Sequence, residues 1–370
     1  MSPKVSIVRA RGYDSGEIEG AVKEAVDLIG GISNFIKKGE KILLKPNLLS
    51  ARPPESGVDT HPEIIRAAAR LVRKAGADVI VGDSPGGFGF RDPGSTYEAS
   101  GAKKICEEED IELVEFDRAS NINGIPITAY AGQVDGIISL PKMKTHSLTT
   151  ITGAVKNSYG LAVGFYKATC HFKAPRPKDF AKYVVSVFEC AIPRLVIMDG
   201  VIAMEGDGPA SGGTLRNAGL ILASNDCVAC DAIFARLIGL SPLDVEIIAE
   251  ARDRKLGEAR LSAIEMFGEK PEDAALRDFK LPKTSIISKI PRPIFKLIAG
   301  GIKFRPKIND AICKKCQLCA TSCPAGCVQI SDKGSSIDYK KCVSCFCCFE
   351  VCPYNAISIK TSLLAKLLGQ

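Results

Sequence analysis

Residues 313–324, CKKCQLCATSCP, and residues 342–353, CVSCFCCFEVCP, decide how this chain is read. Both follow the pattern Cys-x2-Cys-x2-Cys-x3-Cys-Pro, and every cysteine of the first run recurs 29 residues later. Cys313, Cys316, Cys319 and Cys323 thus correspond to Cys342, Cys345, Cys348 and Cys352. Ile308 and Ile330 recur as Ile337 and Ile359, so each half reads as strand, cysteine loop, short helix and strand. The segment is an internal duplication. Three thiolates on one tight loop can wrap three corners of an iron–sulfur cubane, but the loop cannot reach the fourth, which another segment must supply. The closing proline of each run fixes φ as the chain leaves the loop, which suits the start of a short helix.

Working outward, ten of the fifteen cysteines lie between Cys313 and Cys352, and five are scattered over the preceding residues. No apolar run approaches the ~18 residues of a membrane span, and the opening MSPKVSIVRA lacks a secretory apolar core. A cytoplasmic, reducing compartment is therefore expected, and with it metal or redox chemistry before disulfides. A zinc ribbon is the competing assignment, but tetrahedral zinc takes four ligands, usually as two separated pairs, which two identical four-cysteine runs fit poorly.

Over about 308–360 these residues closely resemble the bacterial ferredoxin pattern, in which the fourth cysteine of each run ligates the opposite cluster. That resemblance implies one [4Fe–4S] cluster on Cys313, Cys316, Cys319 and Cys352, and a second on Cys342, Cys345, Cys348 and Cys323. Cys327 aligns with Ala356 and reads as a small buried filler, while Cys347 competes with Cys348 for the third ligand position. The register of the first repeat favours Cys348.

The chain has 370 residues, enough for two or three domains at ~150 residues each. From Val5 to about Gly257, short β-branched runs alternate with helix-period segments, the signature of βαβ units. Strands are expected at 5–10, 41–47, 77–83, 111–116, 135–141, 194–200 and 219–224. Thr60-His61-Pro62-Glu63 has the form of a capping box opening a helix. The Asn-Gly of 121–130 predicts a hairpin that interrupts the alternation. The fold class is accordingly α/β, with a mostly parallel, possibly mixed sheet flanked by helices, followed by a small α+β ferredoxin-type domain. The expected boundaries are 1–279 for the α/β domain, 280–307 for a basic, proline-containing linker, 308–360 for the ferredoxin domain and 361–370 for a tail. The linker reads either as a segment packed between domains or as a docking patch for an acidic redox partner or membrane surface.

In open α/β sheets ligands bind at the carboxyl ends of the strands. Unusual polar residues collect at those ends: Lys45 and Asn47, Asp83, then Lys142, Lys144 and His146, then Asp199 and Asp207, and Asp226. With Lys156 and Asn157 on the next helix, the four lysines form a candidate anion site, because ammonium groups and loop N–H donors together bind carboxylate or phosphate. Asp83, Asp199, Asp207 and Asp226 would orient polar groups or a cation. His146 and Lys144 are the candidate catalytic residues, His146 because imidazole titrates near neutral pH. Each such residue taken singly is as readily a helix cap or solvated side chain. The glycine-rich turns at 83–87 and 206–213 match neither a dinucleotide fingerprint nor a P-loop. Cys227-x2-Cys230, Cys106, Cys190 and Cys170-His171 sit in apolar surroundings and read as packing.

A formal charge of +7, 6% aromatic residues and no Trp offer no case for a nucleic-acid partner. LKPNL, THPE, GDSPGG, LPKMKTHSLTTITGAVKNSYG, MDGVIAMEGDGPASGG and ND-x-x-A-x-DA, spread over about residues 5–255, resemble a prokaryotic family known as domain of unknown function 362. Members of that family commonly carry a C-terminal ferredoxin module and occur in anaerobes, so the resemblance implies a redox role and a shared strand-end site. The expected function is iron–sulfur electron transfer, with an oxidoreductase passing single electrons to or from an anionic small molecule. The alternatives are a carrier or adaptor docking a redox partner protein, such as a ferredoxin, flavodoxin or oxidoreductase, and a regulatory or assembly protein.

Overall fold

The computed structural model describes residues 2–86, 92–174, 176–210, 212–285, 304–332 and 334–362. Most of the basic linker and of the C-terminal tail therefore lies outside the described residues, as do Gly87 and Ser211 of the glycine-rich turns.

The strands in chain order are β1 (Lys4–Arg9), β2 (Lys41–Pro46), β3 (Asp78–Asp83), β4 (Glu112–Glu115), β5 (Ala119–Ile122), β6 (Ile125–Thr128), β7 (Gly136–Leu140), β8 (Lys142–His146), β9 (Thr150–Thr152), β10 (Leu195–Asp207), β11 (Gly212–Ser224), β12 (Glu265–Gly268), β13 (Phe304–Ile308), β14 (Val328–Ser331), β15 (Gly334–Ile337) and β16 (Ile357–Thr361). Ten of these described strands form one mixed sheet of order β12-β1-β11-β10-β7-β2-β3-β4, with β8 beside β10 and β9 beside β8. The run β10-β7-β2-β3-β4 is parallel throughout, whereas β11 lies antiparallel between β10 and β1.

Successive side chains of a strand face opposite sides, and here both sides are apolar. Leu43 of β2 packs into a core with helices Pro177–Cys190 and Cys227–Leu237, while Ile42 and Leu44 pack beneath helices Ser15–Leu28 and Pro62–Lys74. Buried aliphatic area, at ~25 cal/mol per Å², holds this three-layer sandwich together. No helix among the described residues is long and apolar enough to cross a membrane.

Three local expectations need correction or extension. The capping box at Thr60 is absent: His61 is the cap, its Nδ1 accepting from the Glu63 N–H at 3.3 Å. Thr60 Oγ1 is engaged elsewhere, accepting from Asn47 N at 2.8 Å and donating to the Leu140 carbonyl at 2.6 Å, so it ties two strand ends together. The strand read at 219–224 begins at Gly212 and pairs as a hairpin with β10, Val196 standing opposite Ser224. The predicted hairpin at 121–130 is present as β5 and β6, with Asn123 and Gly124 at φ 52° and 82°, the left-handed pair that a two-residue hairpin turn requires.

The cysteine-rich segment repeats its structure along with its sequence. β13 and β15 correspond, as do β14 and β16, and the helix Leu318–Thr321 recurs as Cys347–Glu350. Lys315 and Gln317 at φ 55° and 64° recur as Ser344 and Phe346 at 56° and 63°, so both cysteine loops take the same left-handed path. The halves interlock, the outermost strands β13 and β16 pairing together, and β14 with β15.

Candidate functional site: two cysteine cages beside a basic strand-end cavity

The cysteine loops enclose two small cavities. One is lined by Cys313, Cys316, Cys319 and Cys352, the other by Cys323, Cys342, Cys345 and Cys348 together with Cys327. These are the two sets that the ferredoxin resemblance implies, each taking its fourth sulfur from the opposite half. Among the described residues no group of His, Cys, Asp or Glu converges as the ligands of a single metal ion do. The sulfurs instead surround a space, as ligands of a multi-atom cluster do. Backbone N–H groups point at them: Lys315 N at 3.4 Å from Cys313 Sγ, Cys327 N at 3.4 Å from Cys323 Sγ and Ala356 N at 3.3 Å from Cys352 Sγ. Such donors stabilise thiolate charge and raise cluster potential. Cys348 lines this second cavity, whereas Cys347 lines the neighbouring pocket described next.

The second cavity system lies where the strand ends of the sheet meet the cysteine module. A pocket of about 80 Å³ is lined by Lys45, Asn47, Asp83, Lys156, Asn157, Lys167 and His171 from the α/β part, and by Ser322, Cys347 and Glu350 from the module. Helix Cys347–Glu350, which also carries Cys348, forms one wall. Further contacts seat the module on this rim. Arg52 donates to the Cys352 carbonyl at 2.7 Å, and a Cβ on Gly212 would stand 2.4 Å from the Phe349 ring.

Each pocket residue is held by its strand or helix. Lys45, at the end of β2 and fully buried, lies 2.6 Å from Asp83 Oδ1 and donates to Asn157 Oδ1 at 3.2 Å. Asp83, at the end of β3, also accepts from the Leu48 and Ser84 backbone N–H groups, both at 2.8 Å. Gly160 makes this approach possible, since its Cβ would sit 2.2 Å from Asp83 Oδ1. Lys167 donates to the Ser84 carbonyl, the Ser84 hydroxyl and the Pro85 carbonyl at 2.6, 2.8 and 2.9 Å. Among the described residues Lys156 has no ion pair or hydrogen bond; its ammonium lies 5.8 Å from the Tyr159 ring centroid.

Burial shapes the protonation of all these groups. It pulls Lys45 down, against the Asp83 carboxylate, and pulls Lys156 down, against Glu350 and Cys347. Lys167 falls to about 7 by burial, with Asp83 opposing. Glu350 rises to about 7 by burial, with Lys156 and Lys144 opposing. His171 falls to about 3 by burial, helped by Lys156 and Lys167, and is therefore neutral.

The remaining candidates separate from this pocket. Lys142 and Asp199 form a buried ion pair at 2.8 Å, closed by Tyr13, whose hydroxyl donates to Asp199 at 2.7 Å, and by the His61 N–H at 2.9 Å. That saturated network locks β8 and β10. Lys144 donates to the Val58 carbonyl and falls to about 7 by burial, with Asp59 opposing. Neither His146 nor Lys144 lines the cavity. His146 Nδ1 accepts from Leu148 N at 3.0 Å, so its proton is on Nε2, 3.4 Å from Glu350 Oε1 behind the pocket wall. Asp207 pairs with Lys283 at 2.7 Å and anchors the chain leaving the sheet. Asp226 lies at the opposite edge, because β11 is antiparallel, and caps helix Cys227–Leu237 through the Val228 and Ala229 N–H groups. Cys227 and Cys230 are buried, and burial drives both thiols well up.

Sequence reasoning did not find Lys167, His171, Ser322, Cys347 or Glu350 as pocket residues. Lys167 and His171 stand four apart on helix Tyr166–Lys173, a spacing that places them on one face; that was the available signal. Glu350 had none, since it faces the pocket only once the module has docked.

A mixed α/β sheet joined to a duplicated ferredoxin-type module defines an iron–sulfur, electron-transfer class of protein. The chain belongs to the family described as Domain of unknown function (DUF362), whose model matches residues 42–236. It is similar to the thylakoid-associated protein sll1697 of Synechocystis sp., 33% identical over 76% of this chain and 89% of that protein. The cysteine module is similar to shorter stretches of redox subunits. Pyruvate synthase subunit PorD of Methanocaldococcus jannaschii is 41% identical over 15% of this chain and 65% of that protein. For NADH-quinone oxidoreductase subunit I of Pelobacter propionicus the figures are 36%, 12% and 31%.

Proposed function

We propose that the protein is a cytoplasmic oxidoreductase in which two [4Fe–4S] clusters relay single electrons between a redox partner protein and an anionic small molecule held at the strand ends. The observation that carries this reading is the shared helix Cys347–Glu350: Cys348 belongs to a cysteine cage, while Cys347 and Glu350 line the basic pocket. One helical turn thus separates a cluster ligand from the ligand cavity. The bound clusters would supply one-electron transfer.

The protein's own residues do the rest. Lys156 and Lys167 attract the anion, and Asp83 and Asn157 hold Lys45 in place. Glu350, the one carboxyl on the module's side, stands opposite Lys156. The ferredoxin-type relatives include subunits of multi-protein redox enzymes by name, which supports a protein partner at the other end.

Anaerobic purification followed by native mass spectrometry and iron and sulfide analysis tests the reading. About eight irons and eight sulfides per chain are expected. Zinc-loaded or colourless protein would overturn it.

A further inference from the structure

Three features of the strand-end pocket bear on what it binds. The first is charge. Lys45, Lys156 and Lys167 face Asp83 and Glu350, so basic side chains outnumber acidic ones on the wall by three to two. Asp83 is committed to Lys45 at 2.6 Å, leaving Lys156 without an ion pair among the described residues. Lys156 is partly buried, and an ammonium held against the protein without a counter-ion is stabilised by an anion beside it.

The second is unsatisfied polarity. His171 Nδ1 and Asn47 Oδ1 are buried atoms with no hydrogen-bond partner, and both belong to residues of this one pocket, while Glu350 Oε1 faces His146 Nε2 at 3.4 Å. His171 and Glu350 are 7% and 8% exposed. Buried polar groups in folded proteins are hydrogen-bonded; His171 Nδ1 can donate to an oxyanion, whereas the Asn47 oxygen needs a donor such as a hydroxyl of the occupant.

The third is size. The space is about 80 Å³. A single water needs roughly 10–15 Å³ by this measure, so the pocket has room for about five to eight water-sized groups. Drug-sized ligands occupy sites of roughly 300–1,000 Å³.

We propose that the pocket binds a compact oxyanion or short carboxylate, gripped by Lys156 with His171 as a further polar contact and Lys167 adding charge from its place on Ser84 and Pro85, and that it is too small for a nucleotide or flavin. The site is composite: the cations come from the α/β part, and Ser322, Cys347 and Glu350 of the cysteine module close it. This deepens the reading above, resting on it for the role of the bound anion but not for the binding itself.

The test uses the anaerobically purified full chain, with its iron content and reducibility by dithionite recorded on the same sample. Inorganic phosphate and glycolate serve as compact probes and ADP as the large one, titrated by calorimetry. One compact probe is expected to bind with one-to-one stoichiometry, without competition from ADP. Lys156→Met is expected to weaken it about ten- to a hundred-fold, the loss of a charge-assisted contact. Lys167→Gln, on a partly exposed helix, gives a second measure should the first variant fold poorly.

Absence of binding by both compact probes overturns the inference. So does ADP that competes, or a Lys156→Met that changes only the cluster potential and leaves probe affinity intact. Full iron content without probe binding would sink the pocket assignment alone, whereas probe binding by iron-free protein would sink the electron-transfer reading alone.

Discussion

Asp83→Asn puts the strand-end architecture to its most direct test. The Lys45–Asp83 pair is 2.6 Å long, with side chains 1% and 3% exposed. At an effective dielectric of about 20 the Coulomb energy at that distance is roughly 6 kcal/mol, most of it offset by the desolvation of both ions. The pair therefore adds little net stability, but removing one partner leaves the other buried and uncompensated, at about 3–5 kcal/mol. Asparagine keeps the shape, but its single acceptor oxygen can serve only one of the Leu48 and Ser84 N–H groups, so one backbone contact, about 1 kcal/mol, goes with the charge. In urea, with a slope of about 3 kcal/mol per M, the midpoint of the α/β unfolding transition should fall by about 1–2 M, followed by far-ultraviolet circular dichroism under argon. The double variant Asp83→Asn, Lys45→Met should recover most of the loss, because an apolar side chain of similar length needs no counter-ion. A midpoint shift below about 0.3 M in the single variant would refute the buried ion pair. A double variant no better than the single one would refute the explanation from uncompensated charge.

Cys347→Ala should retain the full iron content, whereas Cys348→Ala should lose about half, counted by iron analysis and paramagnetic resonance of the reduced protein. Stability should decline in acid through His61: burial lowers it from 6.5 to about 4, so the unfolded chain binds the extra proton, and stability present above pH 6.5 is lost as pH falls towards 4. His61→Asn keeps a good helix cap without a titrating group, and should flatten the pH dependence of the urea midpoint over that range. Gly212→Ala places a methyl group 2.4 Å from the Phe349 ring and 2.6 Å from the Asp207 carbonyl, and should loosen both the module's seating and the tip of the β10–β11 hairpin enough to speed proteolytic cleavage near the module.

Much of this architecture was legible beforehand because two strong periodicities carry it. The 29-residue recurrence gave two matching cysteine loops, the ferredoxin resemblance implied which fourth cysteine closes each set, and the alternation of β-branched runs placed β1, β2, β3, β4, β7, β10 and β11 to within a few residues, apart from the extended ends of the last two. The short strands β8, β9 and β12 escaped notice: KMKTH is too polar to read as a strand, and becomes one by pairing beside β10. Direction escaped too. Nothing in GLILAS distinguishes a parallel strand from the return limb of a hairpin, so Asp226 was grouped with a rim from which the whole length of β11 separates it. The lysines at the strand ends were visible as residue types, but their partners were not. Pairing divided them into a sealed structural lock at Lys142 and Asp199 and an open pocket at Lys45 and Lys156, and that division depends on tertiary neighbours such as Tyr13 and Gly160.

The duplicated halves share their loops, strands and cysteine spacing, yet differ where their short helices look outward. Leu318, Ala320 and Thr321 in one become Cys347, Phe349 and Glu350 in the other; Leu318 is 43% exposed, while all three counterparts are buried. Twofold likeness has thereby been given polarity. One end of the cysteine module remains an open terminal and the other is a plug moulded to its socket, so a ferredoxin of unaltered symmetry transplanted onto this sheet would bring the right sulfurs but not the right key.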